Sequence, residues 1–329
     1  MIRKSAVIGA GVMGSGIALH LASAGCEVVL IDNDTTQLSR ARNTITDSSV
    51  RFSNDLSDSV HADYVIEAIS EDLGIKKRLF RALSNVVPTA TIIASNTSSL
   101  LIRDLAKAVQ FGERFLGVHY NNPAEFNPIV EIIPTPATPP ELTKQLQQWY
   151  RDSGKEAIYC QDTSGFILNR QSLPYINEAA RCLGIATAGT IDAIARHRLG
   201  VELGPFAVMN LVGLKVMALA SKNLEILGPG YAAASALQKK SADYANSWDL
   251  DDTDPIKAKV STEIGDRLLG AMLFPGRDIL DKELCSPEDL DLICKKALGY
   301  KHSSVELLQE LPTAEVDRLI ASFRSSETD

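Results

Sequence analysis

Short apolar runs alternate with longer amphipathic stretches through the first half of the chain. Residues 3–8 (RKSAVI) read as a buried strand, and the helical spacing of Ile17, Ala18, Leu21 and Ala22 marks a helix over 12–24. A second apolar run at 27–32 (EVVLID) ends in an acid. Further strands are expected at 63–67 (DYVIE), 91–95 (TIIAS), 114–119 (RFLGVH), 128–133 (PIVEII) and 156–160 (EAIYC). Helices are expected between most of them, at 35–45, 74–86, 101–109 and 140–153. This alternation predicts an α/β fold, a Rossmann-type doubly wound parallel sheet. The strands after His119 follow each other closely, so they are expected to turn antiparallel at one edge.

The pattern changes near residue 162. Residues 166–329 show little strand-like alternation and much 3.6-residue periodicity, which predicts an all-α C-terminal domain. Within it, residues 169–212 align with 266–311. Arg170 meets Arg267, Leu183 meets Leu280, Ile191-Asp192 meets Leu290-Asp291, and Leu199-Gly200 meets Leu298-Gly299. A duplicated helical unit follows. The expected division is a dinucleotide domain at 1–162, a first helical unit at 163–225, a connector at 226–260 and a second, degenerate unit at 261–329. Leu268, Leu269, Met272, Leu280, Leu290 and Ile293 recur at helical spacing and are expected to face the first unit.

Composition narrows the possible partners. The 329 residues are 45% hydrophobic and 22% charged, with a net charge of -8 and no block of Lys and Arg. That argues against a nucleic-acid or anionic-membrane partner. No run approaches about 18 uninterrupted apolar residues, so no membrane span is expected. The N-terminal apolar run is broken by Gly9, Gly11, Gly14 and Gly16 and reads as a turn, not a signal peptide. Cys26, Cys160, Cys182, Cys285 and Cys294 are scattered without CxxC spacing, as free thiols of a cytoplasmic protein would be, and no metal site is expected.

Three groups of residues carry chemistry. Gly9-Ala10-Gly11-Val12-Met13-Gly14 follows a strand and opens a helix, so Gly9, Gly11, Val12, Met13 and Gly14 are expected to cradle a pyrophosphate. Asp32 ends the second strand, where a carboxylate holds ribose hydroxyls and repels a 2′-phosphate. No Arg or Lys follows before Arg40, so NAD is expected over NADP. His119 and Glu131 sit on neighbouring strands. An imidazole can take a hydroxyl proton near pH 7, and a carboxylate on its other nitrogen fixes the tautomer; a structural histidine fits the spacing equally well. His20, His61, His197 and His302 lack such a setting. Ser95-Asn96-Thr97-Ser98-Ser99 follows an apolar strand, where polar groups either face the ligand crevice or cap the next helix.

Together and in this order, these features resemble the L-3-hydroxyacyl-CoA dehydrogenase family, of the 3-hydroxybutyryl-CoA dehydrogenase type. The resemblance spans roughly residues 2–215. It rests on GAGVMGSGIA (9–18), EAISEDLGIK (67–76), ASNTSSL (94–100), the His119–Glu131 segment, DTSGFILNR (162–170) and LGPFAVMNLVGL (203–214). It implies His119 as catalytic base with Glu131 as its partner. Ser98 and Asn169 would hold the reacting oxygen and the thioester carbonyl, with Asn122 as a further substrate contact. Glu71, Lys76 and Asn96 would join the cofactor site.

The chain departs from the family in three places. Only 30 residues lie between Asp32 and Asp63, so the family's helical arm, which contributes to coenzyme A binding, is shortened or absent. Polar Asn121 follows Tyr120 where a second aromatic is usual, which points to a more polar substrate. In place of the family's Gly-rich aromatic tail stands the second helical unit. That unit has Asp266 at the Asn169 position and Ser303-Ser304 for Gly204-Pro205, and is expected to be catalytically silent. The expected substrate is a 3-hydroxyacyl thioester of coenzyme A. The alternatives are a carrier-protein-tethered hydroxyacyl group, or a free hydroxy acid of the sugar-acid or carnitine type. A non-catalytic NAD-binding protein, as among lens lambda-crystallins, is the reading from another class. The expected assembly is a homodimer or a pseudo-dimeric monomer.

Overall fold

The computed structural model describes residues 2–243, 247–253 and 255–324, in two compact units divided between Thr163 and Ser164. Residues 244–246 and 254 of the expected connector, and 325–329 of the expected second helical unit, lie outside the described residues.

In the first unit the apolar runs become β1 (Lys4–Ile8), β2 (Glu27–Ile31), β4 (Tyr64–Glu67), β5 (Ile92–Ser95), β6 (Phe115–Tyr120), β7 (Ile129–Pro134) and β8 (Glu156–Tyr159). With β3 (Val50–Ser53) they form one sheet in the order β3-β2-β1-β4-β5-β6-β7-β8. The first six strands are parallel. β7 pairs antiparallel with β6 and β8 parallel with β7, so the last two run in reverse, the antiparallel edge that the close strand spacing predicts. Central strands are covered on both faces by helices and need unbroken apolar runs. β3 is an edge strand in which Val50 alone is fully buried, so it shows no such run and the apolar pattern missed it. Helices α1 (Val12–Ser23), α2 (Thr35–Thr44), α3 (Leu73–Val86), α4 (Ile102–Ala106) and α5 (Pro140–Asp152) connect the strands. Asp34 and Asp72 cap α2 and α3 by accepting from Thr36 N and Ile75 N. α4 stops at Ala106, three residues short of the expected end.

The second unit is helical among its described residues, apart from one antiparallel bridge between Val201 and Tyr300. Its helices are α6 (Leu168–Arg181), α7 (Ala188–Leu199), α8 (Pro205–Val212), α9 (Leu214–Leu224), α10 (Ser235–Ala242), α11 (Ala258–Asp281), α12 (Pro287–Leu292), α13 (Ser304–Glu310) and α14 (Thr313–Arg324). α6 and α11 pack antiparallel. Arg170 on α6 pairs with Asp278 on α11 at 2.6 Å, and Arg267 on α11 pairs with Glu178 on α6 at 2.6 Å. The two arginines that align in sequence therefore reach across in opposite directions. Gly200 and Gly299, also aligned, both adopt left-handed backbone (φ 69° and 66°). Each offers its carbonyl to the other segment, Gly299 O to Glu202 N and Gly200 O to Lys301 N. Of the six apolar positions, Leu268, Met272, Leu290 and Ile293 are buried. Leu269 instead packs beside Val316, Leu319 and Ile320 of α14, and Ile279 is buried where Leu280 is half-exposed. No single described helix is long and apolar enough to cross a membrane.

Candidate active site

The glycine turn shapes the crevice at the end of β1. Gly9 has φ 109°, and a Cβ there would lie 2.6 Å from the Ala68 carbonyl. A Cβ on Gly14 would lie 1.7 Å from the Gly9 carbonyl, so α1 rests directly on the turn. At Gly11 the space is open, with nothing within 4 Å of a built Cβ. That is the room a pyrophosphate needs beside the first amides of α1, which Val12 and Met13 begin. Asp32 braces the turn: one carboxylate oxygen accepts from Ala10 N at 2.7 Å and the other from Asp34 N at 2.8 Å. Gly9, Gly11, Asp32, Ile69, Ile75 and Arg78 line a cavity of about 720 Å³. It opens between the ends of β1, β2 and β4, where the strand order reverses and nucleotides bind. Apolar walls, an acid at the second strand and an open glycine fit the adenosine and pyrophosphate of NAD. Arg78 is a cation in this cavity that the sequence reading did not anticipate.

His119 and Glu131 face each other directly across the antiparallel β6–β7 pair. Nearest cross-strand neighbours have Cβ atoms about 5 Å apart, which puts these side chains in reach. His119 Nδ1 lies 2.6 Å from Glu131 Oε2, with the side chains 7% and 0% exposed. A buried carboxylate at Nδ1 assigns the proton there and turns the lone pair of the neutral ring to Nε2. Tyr120, next along β6, points to the opposite face of the sheet. Its hydroxyl lies 2.9 Å from His20 Nδ1 and donates to Tyr150. Burial, reinforced by the nearby Lys155 charge, pushes His20 down to about 4, against the opposing bond to Ser153.

The loop after β5 lies beside this pair, because β5 and β6 are parallel neighbours with Ser95 opposite Gly117. Asn96 Oδ1 accepts from Tyr120 N at 2.8 Å and ties the two strand ends together. Glu71 Oε1 accepts from Thr97 Oγ1 (2.6 Å), Ser98 N (3.0 Å), Ser99 N (3.0 Å) and Ser99 Oγ (2.9 Å). Lys76 Nζ, 1% exposed, pairs with Glu71 Oε2 at 3.2 Å and with Glu67 Oε1 at 2.5 Å. Glu67 in turn accepts from Ser95 Oγ at 2.7 Å. Burial raises Glu67 above the usual carboxylate range. Burial also pushes Glu71 up, but the Lys76 charge and the Thr97 and Ser99 hydroxyls outweigh it and leave Glu71 low. Glu67, Ser95 and Thr97 lie inside the quoted motif blocks, yet their spacing does not reveal that they join one network.

The segment following His119 is held from a distance. Lys155 Nζ donates to the carbonyls of Ala124 (2.8 Å) and Asn127 (2.6 Å). Burial pulls Lys155 down to about 8, against the Glu125 charge. Asn121 is buried and its Nδ2 finds no acceptor among the described residues, whereas Asn122 is exposed. Asn169 belongs to the second unit, half-buried in the first turn of α6. All five cysteines are free thiols and buried.

Comparison with known proteins places this geometry. Residues 4–163 match the NAD-binding domain of 3-hydroxyacyl-CoA dehydrogenase, and residues 165–247 match its C-terminal domain. Mitochondrial hydroxyacyl-coenzyme A dehydrogenase of Sus scrofa is 35% identical over 242 residues, 65% of this chain and 77% of that protein. A probable 3-hydroxybutyryl-CoA dehydrogenase of Bacillus subtilis is 35% identical over 235 residues, 65% of this chain and 82% of that protein. In fold, 3-hydroxybutyryl-CoA dehydrogenase from Escherichia coli K12 superposes with a TM-score of 0.86 at 22% identity, over 100% of this chain and 96% of that one. From the glycine turn through the first helices of the second unit, the chain belongs to the 3-hydroxyacyl-CoA dehydrogenase family and is an NAD-dependent oxidoreductase of CH–OH groups.

Proposed function

We propose that the protein interconverts the hydroxyl and ketone of a 3-hydroxyacyl thioester of coenzyme A, with His119 carrying the proton. The observation that carries this reading is the buried His119–Glu131 pair at 2.6 Å, beside the loop that presents Ser98. NAD, which the Gly9–Gly14 turn and Asp32 would hold, would supply the hydride acceptor for the substrate C–H. His119 Nε2 takes the hydroxyl proton in that direction and returns it in the other. Glu131 keeps the proton on Nδ1 and stabilises the imidazolium. Ser98 donates to the reacting oxygen, with Asn122 and Asn169 as further substrate contacts. The names of the relatives, hydroxyacyl- and 3-hydroxybutyryl-CoA dehydrogenases, support the thioester.

One observation favours a second reading. Between β2 and β4 stand only α2, β3 and a short helical turn, with no long helical arm. A thioester on a carrier protein, or a free hydroxy acid, needs no grip on the coenzyme A nucleotide. NADH absorbance with acetoacetyl-CoA, an acyl-carrier-protein thioester and free hydroxy acids separates these. Turnover of acetoacetyl-CoA is expected, and turnover of free acids alone overturns the thioester reading. His119→Ala is expected to lose about 10²–10⁴-fold in turnover while still binding NADH, and Glu131→Gln to lose less. A His119→Ala enzyme with near wild-type turnover sinks the mechanism.

A further inference from the structure

Residues 121–127 leave β6 just after His119 and return the chain to β7. Within them the backbone makes a single turn, in which the Pro123 carbonyl accepts from Phe126 N at 3.1 Å and Asn127 N at 2.8 Å. One isolated turn leaves its following carbonyls without donors of its own. Those of Ala124, Glu125 and Asn127 converge on Lys155 Nζ, at 2.8, 3.3 and 2.6 Å. An ammonium has three N–H donors, so donors and acceptors match one for one. Lys155 is 4% exposed and its ammonium lies 5.9 Å from the centre of the Tyr120 ring. Its own N–H is bonded to the Tyr150 carbonyl at the end of α5, so the anchor belongs to the frame of the sheet. The turn also rests on α1, where a Cβ on Gly16 would lie 3.1 Å from Ala124 Cβ. Asn121 adds no such tie, since its Nδ2 finds no acceptor among the described residues.

We propose that Lys155 is a positioning residue for the reaction: its ammonium gathers the carbonyls of the 124–127 turn and so fixes the segment that carries Asn122 directly after His119. The proposal rests on the reading of His119 and Asn122 as residues that face the substrate. Lys155 acts on them only through the backbone, by holding the turn against the frame from which β6 and β8 extend. Buried carbonyls need donors, and this turn cannot supply them from within.

The test compares wild type, Lys155→Met and Lys155→Gln in the full-length protein by two readouts. Methionine keeps an apolar stem and removes every donor. Hydrogen exchange read by mass spectrometry follows the amides of Phe126 and Asn127, which the turn protects. Bonds from a charged donor are the stronger ones, so these amides are expected to exchange at least about 10-fold faster in Lys155→Met, with those of β6 and β7 unchanged. Kinetics use whichever of the thioesters and hydroxy acids the wild type turns over, so that failure of the thioester reading leaves the comparison intact. The kcat of folded Lys155→Met is expected to fall about 10- to 100-fold, the scale of loss from a small misplacement. A lysine that only stabilised the fold would leave the kcat of the folded enzyme unchanged. Faster exchange with wild-type kcat therefore overturns the positioning role, and unchanged exchange overturns the clasp itself. If Lys155→Met does not fold, Lys155→Gln, which keeps two N–H donors without the charge, decides the question. A smaller rise in exchange with a smaller loss of kcat supports the proposal, and wild-type values of both overturn it.

Discussion

Asp32 uses its two oxygens for two backbone amides, Ala10 N and Asp34 N, and so shapes the turn whose cavity it lines. Its charge faces the place where an adenosine ribose sits in this fold. A 2′-phosphate there would meet a carboxylate, with Arg78 the cation on the same cavity wall. Wild-type protein is therefore expected to bind NADH more tightly than NADPH in fluorescence titrations. Asp32→Ala should weaken NADH, through both the lost ribose bond and the loosened turn, while NADPH improves relative to it. Equal wild-type affinity for the two cofactors would remove the argument. The glycines work beside Asp32 by size alone. At Gly14 any side chain collides with the Gly9 carbonyl, whereas at Gly11 a side chain would enter open space.

Among the elements, β6 separates two histidine environments. On one face, His119 meets Glu131 through antiparallel pairing. On the other, Tyr120 meets His20 of α1, and Tyr150 of α5 stacks on the His20 ring at 6.0 Å. His20 is 4% exposed and pushed down to about 4 by burial. Between pH 6.5 and 4 the unfolded chain takes up a proton at this residue that the folded chain refuses. Stability from neutral His20 is thus present above the unfolded value, falls as pH drops through that window, and is gone below the folded value. At 1.36 kcal/mol per pKa unit the effect is on the order of 3 kcal/mol. Urea denaturation should show His20→Gln most destabilising at pH 7, with the gap to wild type shrinking toward pH 4. A gap that stays constant across the range would count against this account.

In the second unit of the molecule, α6–α9 come first and α11–α14 follow, with α10 between them. The relatives at 35% identity share 65% of the chain, whereas the E. coli fold match extends over all of it. α6 is buried along its length from Arg170 to Ala180. We propose that α11 supplies, inside one chain, the surface that a second subunit would otherwise present, so that a monomer suffices. Truncation after residue 225 would remove Asp278 and Arg267, leaving Arg170 (2% exposed) and Glu178 (0%) without these partners. It would also uncover the apolar face of α6. Large exposed apolar patches associate. Size-exclusion chromatography of the truncated protein should show aggregation or self-association. A soluble, monomeric, fully active truncation would mean that the second set of helices is dispensable.

What the sequence by itself determined is local or periodic. The glycine turn is a chain-neighbour arrangement, the central strands are buried on both faces and so are continuously apolar, and His119 and Glu131 lie on adjacent strands joined by one short loop. Arg170 and Arg267 align in sequence, but Arg170 lies in the first turn of α6 and Arg267 near the middle of α11. Strand β3 escaped because an edge strand needs few buried side chains. Only the tertiary structure decided that Lys155 holds the loop after His119, that Asn96 ties β5 to β6, and that Lys76 joins Glu67 to Glu71. These bonds link residues whose nearness follows from strand order and crossover path. A buried polar group must find a partner wherever the fold brings one, and sequence spacing carries no record of that choice.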